Sequence, residues 1–351
     1  MTSIDISAPD DWHVHLRDDH MLGAAAPFTA ACFRHALVMP NLVPPITSSA
    51  MARQYRDRIL AATGPSARSD FRPLMGVYLN DSLVLDDLIE GVAQGEIFAA
   101  KYYPAGATTN SEAGGASLIG YRPILEAMAE HNIALLVHAE STNPDIDIFD
   151  REAVFLEAEL ATVCAALPEL RVTVEHISTR AGLDFVRSHN NVAGSITPHH
   201  LTCDRTDVLA NGLRPDLYCK PVINSRDEKL ALVEAATSAD ASFFYGTDSA
   251  PHPLSQKESS QGRPGIFNAP YALEVVAELF YEQGKLDCLE RFVSFNGVDH
   301  YGLARTDAKV RLNRHDDGSI ERPSTVRTSD GHEVRIFGAE AARLWEWRAL
   351  G

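Results

Sequence analysis

This chain is short of the residues that staple small secreted proteins. Its five cysteines, Cys32, Cys164, Cys203, Cys219 and Cys288, are odd in number, scattered, and form no Cys-X-X-Cys pair, which argues against a disulfide framework and a thiolate zinc site. Positive charge is scarce too. Lys and Arg total 31 against 48 Asp and Glu, a formal net charge of -17, so the clustered basic footprint needed for nucleic acid or anionic lipid is missing. No apolar run approaches the ~18 residues of a membrane helix. The opening MTSIDISAPDDW lacks the charged start and apolar core of a secretory signal. The expected setting is a reducing cytoplasm, with neither nucleic acid nor membrane as partner. An anionic substrate would need local positive charge to offset this acidic field.

What the chain does have is a repeated alternation. Eight short apolar runs recur, at Asp11–Leu16, His35–Asn41, Phe71–Leu79, Ile97–Tyr103, Ile133–Glu140, Arg171–Ser178, Val192–His200 and Ser242–Asp248. Between several of them lie segments of helical period, at Ala50–Ala62, Leu83–Ala93, Ile119–His131, Arg151–Ala166 and Asp227–Ser238. Strands alternating with helices indicate a parallel sheet, and eight such units predict a closed (β/α)8 TIM-type barrel. No low-complexity linker divides the chain. From Lys309 the pattern changes to short alternations, KVRLNRHDDG and GHEVRIF, predicting a small C-terminal extension over residues 309–351 packed on a barrel of residues 1–308, since so short a piece cannot hold its own core.

Barrels of this type carry their chemistry at the C-terminal ends of the strands. There the sequence places His13 and His15, Lys101, His138, His176 and Asp248. His13 and His15 stand two apart, so in a strand both imidazoles point one way and can share a metal ion. Singly, each residue has a plainer reading. A histidine after an apolar run, as in LLVHAE or TVEHIS, serves equally as a core or cap residue, and Asp248 could be a helix N-cap. Lys101 in FAAKYYP is harder to explain away, because a lysine in an apolar strand is costly unless its charge is removed or paired. Together the six match the donors of a two-metal hydrolase, provided the lysine becomes an anion; carbamylation by carbon dioxide would make it a carboxylate able to bridge two metals. The run IDIFDRE carries acidic residues that could be mistaken for metal ligands; it reads as the start of the next helix, with Asp150 as its candidate cap.

The motifs DWHVHLRDD, VMPNLVPP, KYYPAGATTNS, LVHAE, EHIST and GTDSAPH stand in this order. From about Asp10 to Asn296 the chain resembles the amidohydrolase superfamily, and within it the homodimeric, bacterial-type dihydroorotases of pyrimidine synthesis. The resemblance implies two Zn²⁺ per chain. His13, His15 and Asp248 would hold the first and His138 and His176 the second, with Lys101 as N6-carboxylysine bridging both. It further implies the reversible cyclisation of N-carbamoyl-L-aspartate to L-dihydroorotate, with a zinc-bridging hydroxide as nucleophile and Asp248 as general base and then acid. Such a centre would bring about one net positive charge into an acidic protein.

For the substrate carboxylate the resemblance implies Arg17, Asn41 and His252. It assigns the ring's urea edge to backbone near Lys220 and Pro264, and hydroxyl donors to Thr108 and Thr109 in the loop Gly106–Ser117. A guanidinium suits a carboxylate because it can bond bidentately; the plainer role for Arg17 is a surface ion pair with Asp18 or Asp19. The partners implied are a small molecule and a second copy of the chain. Two other readings share these motifs in part. A hydantoinase- or allantoinase-like hydrolase would not need the carboxylate-reading trio, and an inactive scaffold barrel would have lost ligands, whereas all six are present.

Overall fold

The computed structural model describes residues 2–350. Its strands in chain order are β1 (Thr2–Ser7), β2 (Asp11–Val14), β3 (His35–Val38), β4 (Arg72–Tyr78), β5 (Ala99–Tyr102), β6 (Ala134–Val137), β7 (Val172–Val174), β8 (Val192–Ile196), β9 (Phe243–Tyr245), β10 (Lys309–Arg314), β11 (Thr325–Arg327), β12 (Glu333–Arg335) and β13 (Trp345–Leu350). Strands β2 to β9 pair in parallel and in chain order. The circle closes where the Asp248 N–H donates to the His13 carbonyl (2.8 Å) and the His15 N–H to the Ser249 carbonyl (3.0 Å). The fold is therefore the expected (β/α)8 barrel. Each of the eight apolar runs contains one of these strands, and most are buried on both faces. That explains why they read as near-continuous apolar runs rather than as alternating ones.

The helices fall close to their expected positions, at Ser49–Ala62, Leu85–Ala93, Arg122–Glu130 and Arg226–Thr237. Ser48 and Ser225 begin the first and last of these, each hydroxyl accepting from the backbone N–H three residues on. Arg151–Ala166 is helical throughout, with a wider π turn at Leu156–Leu160. Asp150 stands at its start but makes no side-chain cap bond; Asp147 instead turns the preceding loop by accepting from the Phe149 N–H at 2.9 Å. Among the described residues no helix is long and apolar enough to cross a membrane.

The extension is built from both ends of the chain. Strand β10 pairs antiparallel with β1 on one side and β13 on the other, while β11 and β12 form a separate hairpin. This sheet thus spans the division placed after residue 308, drawing β1 from the residues assigned to the barrel. It covers the helix Ala272–Glu282, which is buried on nearly every face. Its Glu274 and Glu278 are therefore buried among apolar neighbours and need polar partners. Glu278 on that helix fastens the cover, accepting two bonds of 2.8 Å from the Arg314 guanidinium and one of 2.6 Å from the Trp345 indole.

Inside the barrel an apolar cluster that includes Trp12, Leu136, Phe244 and Tyr301 forms the floor. Leu136 and Ala99 lie two residues before His138 and Lys101, so the same strand faces supply floor and site in successive layers. Trp12 packs on Tyr301 with ring centroids 4.7 Å apart. Gly297 lets the chain cross beside it, for a Cβ there would stand 2.1 Å from the indole nitrogen. Gly297→Ala should therefore destabilise the protein by ~1–3 kcal/mol through overpacking of a rigid ring. Thermal unfolding measures this, and an unchanged midpoint would show that the floor yields freely.

Candidate metal centre and substrate cleft

The closure of the barrel makes the site. Asp11, wholly buried at the base of β2, accepts from the Thr247 N–H (2.8 Å) and the Thr247 hydroxyl (2.6 Å), tying β2 to the segment after β9. Burial pushes its carboxyl up to about 7, against the pull of those bonds. One residue beyond Thr247, Asp248 is thereby set against His13 in β2 and His15 just past its end. Its Oδ1 lies 3.4 Å from His13 Nε2 and 3.2 Å from His15 Nε2, and the two imidazole nitrogens are 3.2 Å apart.

Each imidazole is oriented from behind. His13 Nδ1 is 2.8 Å from Glu175 and His15 Nδ1 is 2.8 Å from the Asn41 amide oxygen. Both acceptors require a proton on Nδ1, which leaves the two Nε2 lone pairs facing each other and the Asp248 carboxylate. Lone pairs at that distance repel unless a cation or proton lies between them. Across the site His138 Nδ1 and His176 Nε2 are 3.1 Å apart, and Glu140 stands 2.6 Å from His138 Nε2. A carboxylate or amide behind each of three histidines is the arrangement that raises the basicity of a metal-ligating imidazole. Burial, followed by the neighbouring cations, holds His15 and His176 well below the ordinary histidine range, so both are neutral, as metal ligation requires.

Lys101 lies beneath this cluster, wholly buried, and its ammonium has no hydrogen-bond partner. Burial lowers its pKa to about 8, although Glu175 and Asp248 pull the other way. Burial alone would raise Glu175, but His13 and Lys101 outweigh it and hold that carboxyl below its usual range. A buried lysine without a partner beside four histidines is unfavourable as it stands. The donor set of imidazole, carboxylate and a lysine that can acquire two oxygens fits a pair of divalent cations of the zinc type. His13, His15 and Asp248 form one close-set triad, their ligand atoms all within 4.8 Å of one another.

A second group, His199, His200 and Cys219, is equally close-set; His199 Nδ1 faces the Asn268 amide at 3.2 Å and its Nε2 is buried without a partner, while the other two residues are engaged. His200 uses one nitrogen with the Thr197 hydroxyl (2.8 Å) and the other with the Pro221 carbonyl (3.0 Å), and the Cys219 thiol donates to that same carbonyl at 3.2 Å. This cluster supports the loop behind the site. A wider cavity opens at the opposite end of the barrel, yet it carries one histidine, His35, and no carboxylate. Chemistry rather than size therefore locates the site.

Above the histidines lies a small cavity whose wall includes His15, His138, His176 and Asp248. Arg17, Asn41, Thr108, Thr109, Lys220 and Pro264 also line it, so the sequence-selected substrate residues meet there. His252 joins them through Arg17, with its Nε2 3.0 Å from the guanidinium and 3.0 Å from the Pro264 carbonyl. Asp18 pairs with Arg58 instead, at 2.7 Å, so Arg17 is free to face the cavity. The loop that follows Lys101 is closed: Asn41 donates to the Thr109 carbonyl (2.9 Å), Asn110 to the Asn41 carbonyl (3.0 Å), and the Thr109 hydroxyl to the Pro264 carbonyl (3.3 Å). Arg17, His176 and Asp248 adopt left-handed backbone, with φ of 59, 42 and 42 degrees. Such strain in residues other than glycine collects at functional sites, where the surroundings enforce it.

Sequence reasoning did not single out Glu140, Glu175 or Tyr103. The two glutamates had a signal, since each stands beside or two from a site histidine, in HAE and VEH. Tyr103 had none, because its place in the cavity wall follows from the turn of the chain after β5.

A family model described as Amidohydrolase family matches residues 10–306. The dihydroorotase of Marinobacter nauticus is 50% identical over 89% of this chain and 90% of that protein. That of Agrobacterium fabrum is 46% identical over 99% of each. Among solved structures, dihydroorotase from Saccharomyces cerevisiae in complex with 5-fluoroorotic acid superposes with a TM-score of 0.89 at 29% identity, covering 99% of both chains. Dihydroorotase from Campylobacter jejuni gives 0.88 at 33% identity, covering 99% of this chain and 98% of that one. The L-hydantoinase of Arthrobacter aurescens, at 15% identity and a TM-score of 0.73 over 94% of this chain and 79% of that one, shares the fold alone. Matched by the family model over most of its length and by these relatives almost end to end, the chain belongs to the amidohydrolase family, among its dihydroorotases.

Proposed function

We propose that this protein is a metal-dependent dihydroorotase, interconverting N-carbamoyl-L-aspartate and L-dihydroorotate, and that it works as a cytoplasmic homodimer. The observation that carries the reading is the convergence of Arg17 and Asn41 on one cavity with the histidine cluster, with His252 held against the Arg17 guanidinium. A cyclic-amide hydrolase for uncharged rings would have no use for that carboxylate-reading group.

Lys101 is the residue that lets the centre hold two zinc ions. With its pKa lowered to about 8 by burial, a fraction is free amine near neutral pH. Addition of the amine nitrogen to the carbon of carbon dioxide, with release of a proton, would replace a cation with a carboxylate; His13, His15 and Asp248 would hold one metal ion and His138 and His176 the other, with the modified Lys101 as a shared ligand. Two divalent cations so held would supply Lewis acidity and a water acidified enough to attack at neutral pH. The protein does the rest. Arg17, with Asn41 and His252, would grip the substrate carboxylate and orient the ring. Asp248 would take the proton from the attacking water and deliver it to the leaving ring nitrogen, reversing these roles in cyclisation. Burial raises the Asp248 carboxyl, with His13 and His200 opposing, which favours a group that both accepts and returns a proton. Loop 106–117 would exclude bulk water and bring Thr108 and Thr109 onto the substrate.

The deciding measurement is spectrophotometric: the protein should hydrolyse dihydroorotate, lose that activity to a chelator, regain it with zinc, and turn over an unsubstituted hydantoin poorly. Preference for the uncharged hydantoin would overturn the assignment. Lys101→Ala should lose most metal and activity, with partial rescue by short carboxylic acids; two metals per chain and full activity in that variant would remove the bridging role. Replacing Thr108 and Thr109 together by Ala should lower turnover ~10-fold or more while metal content holds, since each lost bond to a charged substrate is worth ~1.5–3 kcal/mol. Unchanged kinetics would show that the loop is only a connector.

A further inference from the structure

Lys257 lies at the end of the short helix Leu254–Lys257, buried, and the roles assigned so far do not use it. Its ammonium donates to the Tyr218 carbonyl and to the Gly265 carbonyl, both at 2.6 Å. The Gly265 N–H also donates to the Tyr218 carbonyl, at 2.9 Å. Two separate loops are thus held together by one cation, and both belong to the cavity wall. Tyr218 precedes Lys220 by two residues, and Gly265 follows Pro264 directly. Pro264 in turn is the meeting point of the carboxylate-reading and closing elements, for its carbonyl lies 3.0 Å from His252 Nε2 and accepts from the Thr109 hydroxyl at 3.3 Å.

The strip has little room to settle elsewhere. Gly265 has a φ of 143 degrees, and a Cβ on it would stand 2.5 Å from the Ala250 carbonyl. Ala250 itself donates to the Ile266 carbonyl at 2.8 Å. One edge of the strip is therefore fixed to the segment after Asp248, while the other depends on Lys257. A charged donor shared by two carbonyls forms strong bonds in a buried setting. Its loss would leave the Tyr218 carbonyl with the Gly265 N–H alone and deprive the buried Gly265 carbonyl of the Lys257 donor.

We propose that Lys257 is a positioning residue for substrate recognition, clamping the Tyr218–Lys220 and Pro264–Gly265 segments so that the wall carrying His252 and receiving the loop tip keeps its shape. This rests on the dihydroorotase reading. Lys257 touches none of the six proposed metal-holding residues, so its effect falls on substrate binding rather than on metal content.

The test uses the full-length, zinc-loaded protein with Lys257→Met, which keeps the length of the side chain and removes the charge, and Lys257→Arg, which keeps charge and donors. A third variant, Lys257→Gln, serves if the methionine variant does not fold. Zinc per chain, thermal midpoint, kcat, KM for dihydroorotate and affinity for 5-fluoroorotate are measured for each. The expected result for Lys257→Met is wild-type zinc content, a KM raised about tenfold or more, a parallel loss of 5-fluoroorotate affinity, and a smaller change in kcat. Lys257→Arg should recover part of the KM. A lowered midpoint with unchanged KM would make Lys257 a purely structural residue and overturn the proposal, as would a fall in zinc content. Absence of dihydroorotate turnover in the wild-type protein would overturn the dihydroorotase reading itself, an outcome separate from any difference among the variants.

Discussion

The site depends on one buried carboxylate at the seam of the barrel. Asp11 accepts both the backbone N–H and the hydroxyl of Thr247, and through that pair the first and last barrel strands are held in the register that sets Asp248 against His13 and His15. Closing a barrel brings together strands from distant parts of the sequence, here 236 residues apart, and a one-residue slip would turn every side chain to the opposite face. A satisfied polar pair at the seam forbids the slip. The left-handed backbone of Asp248 and His176 is tolerated for the same reason: the surrounding bonds over-determine it.

A second theme is the storage of unfavourable charge and lone-pair arrangements. Imidazole nitrogens 3.2 Å apart, a partnerless ammonium and a buried carboxylate are costly in a protein without bound cations, and each becomes favourable with cations between them. Folding energy from the apolar floor and from the helices around the barrel maintains this arrangement. The neighbouring His199, His200 and Cys219 illustrate the contrast. They are close-set too, yet a hydroxyl and a carbonyl already engage His200 and Cys219, which leaves one open nitrogen, His199 Nε2, instead of a set of converging donors.

The acidic character of the chain returns here as a local problem of charge. On the proposed function a protein with a net charge of -17 has to recognise an anion, and Arg17, with any cations held by the histidines, would supply the local positive charge at the cavity. Focusing of field lines in a low-dielectric cleft is the means by which such local charge would offset the opposing surface field. The loop after Lys101 is held closed by side-chain bonds from Asn41, Thr109 and Asn110.

Much of this was determined by the sequence alone. The eight buried strands were legible because parallel strands covered on both faces must be continuous and apolar, and His13 with His15, His138, His176, Lys101 and Asp248 were legible because residues of ligand type ended so many of those runs. The pairing of β1 with β10 was not legible, since an alternating hexamer carries no mark of a partner some three hundred residues away. Nor were the acceptors behind the histidines, Glu175, Glu140 and Asn41, assignable to their particular ring nitrogens, or the Asp150 side chain seen to leave the helix start uncapped. Local pattern encodes period, burial and residue type. Which nitrogen faces which oxygen depends on closure of the barrel, on backbone strain at three residues and on the path of loops, and these are settled only when the whole chain packs at once.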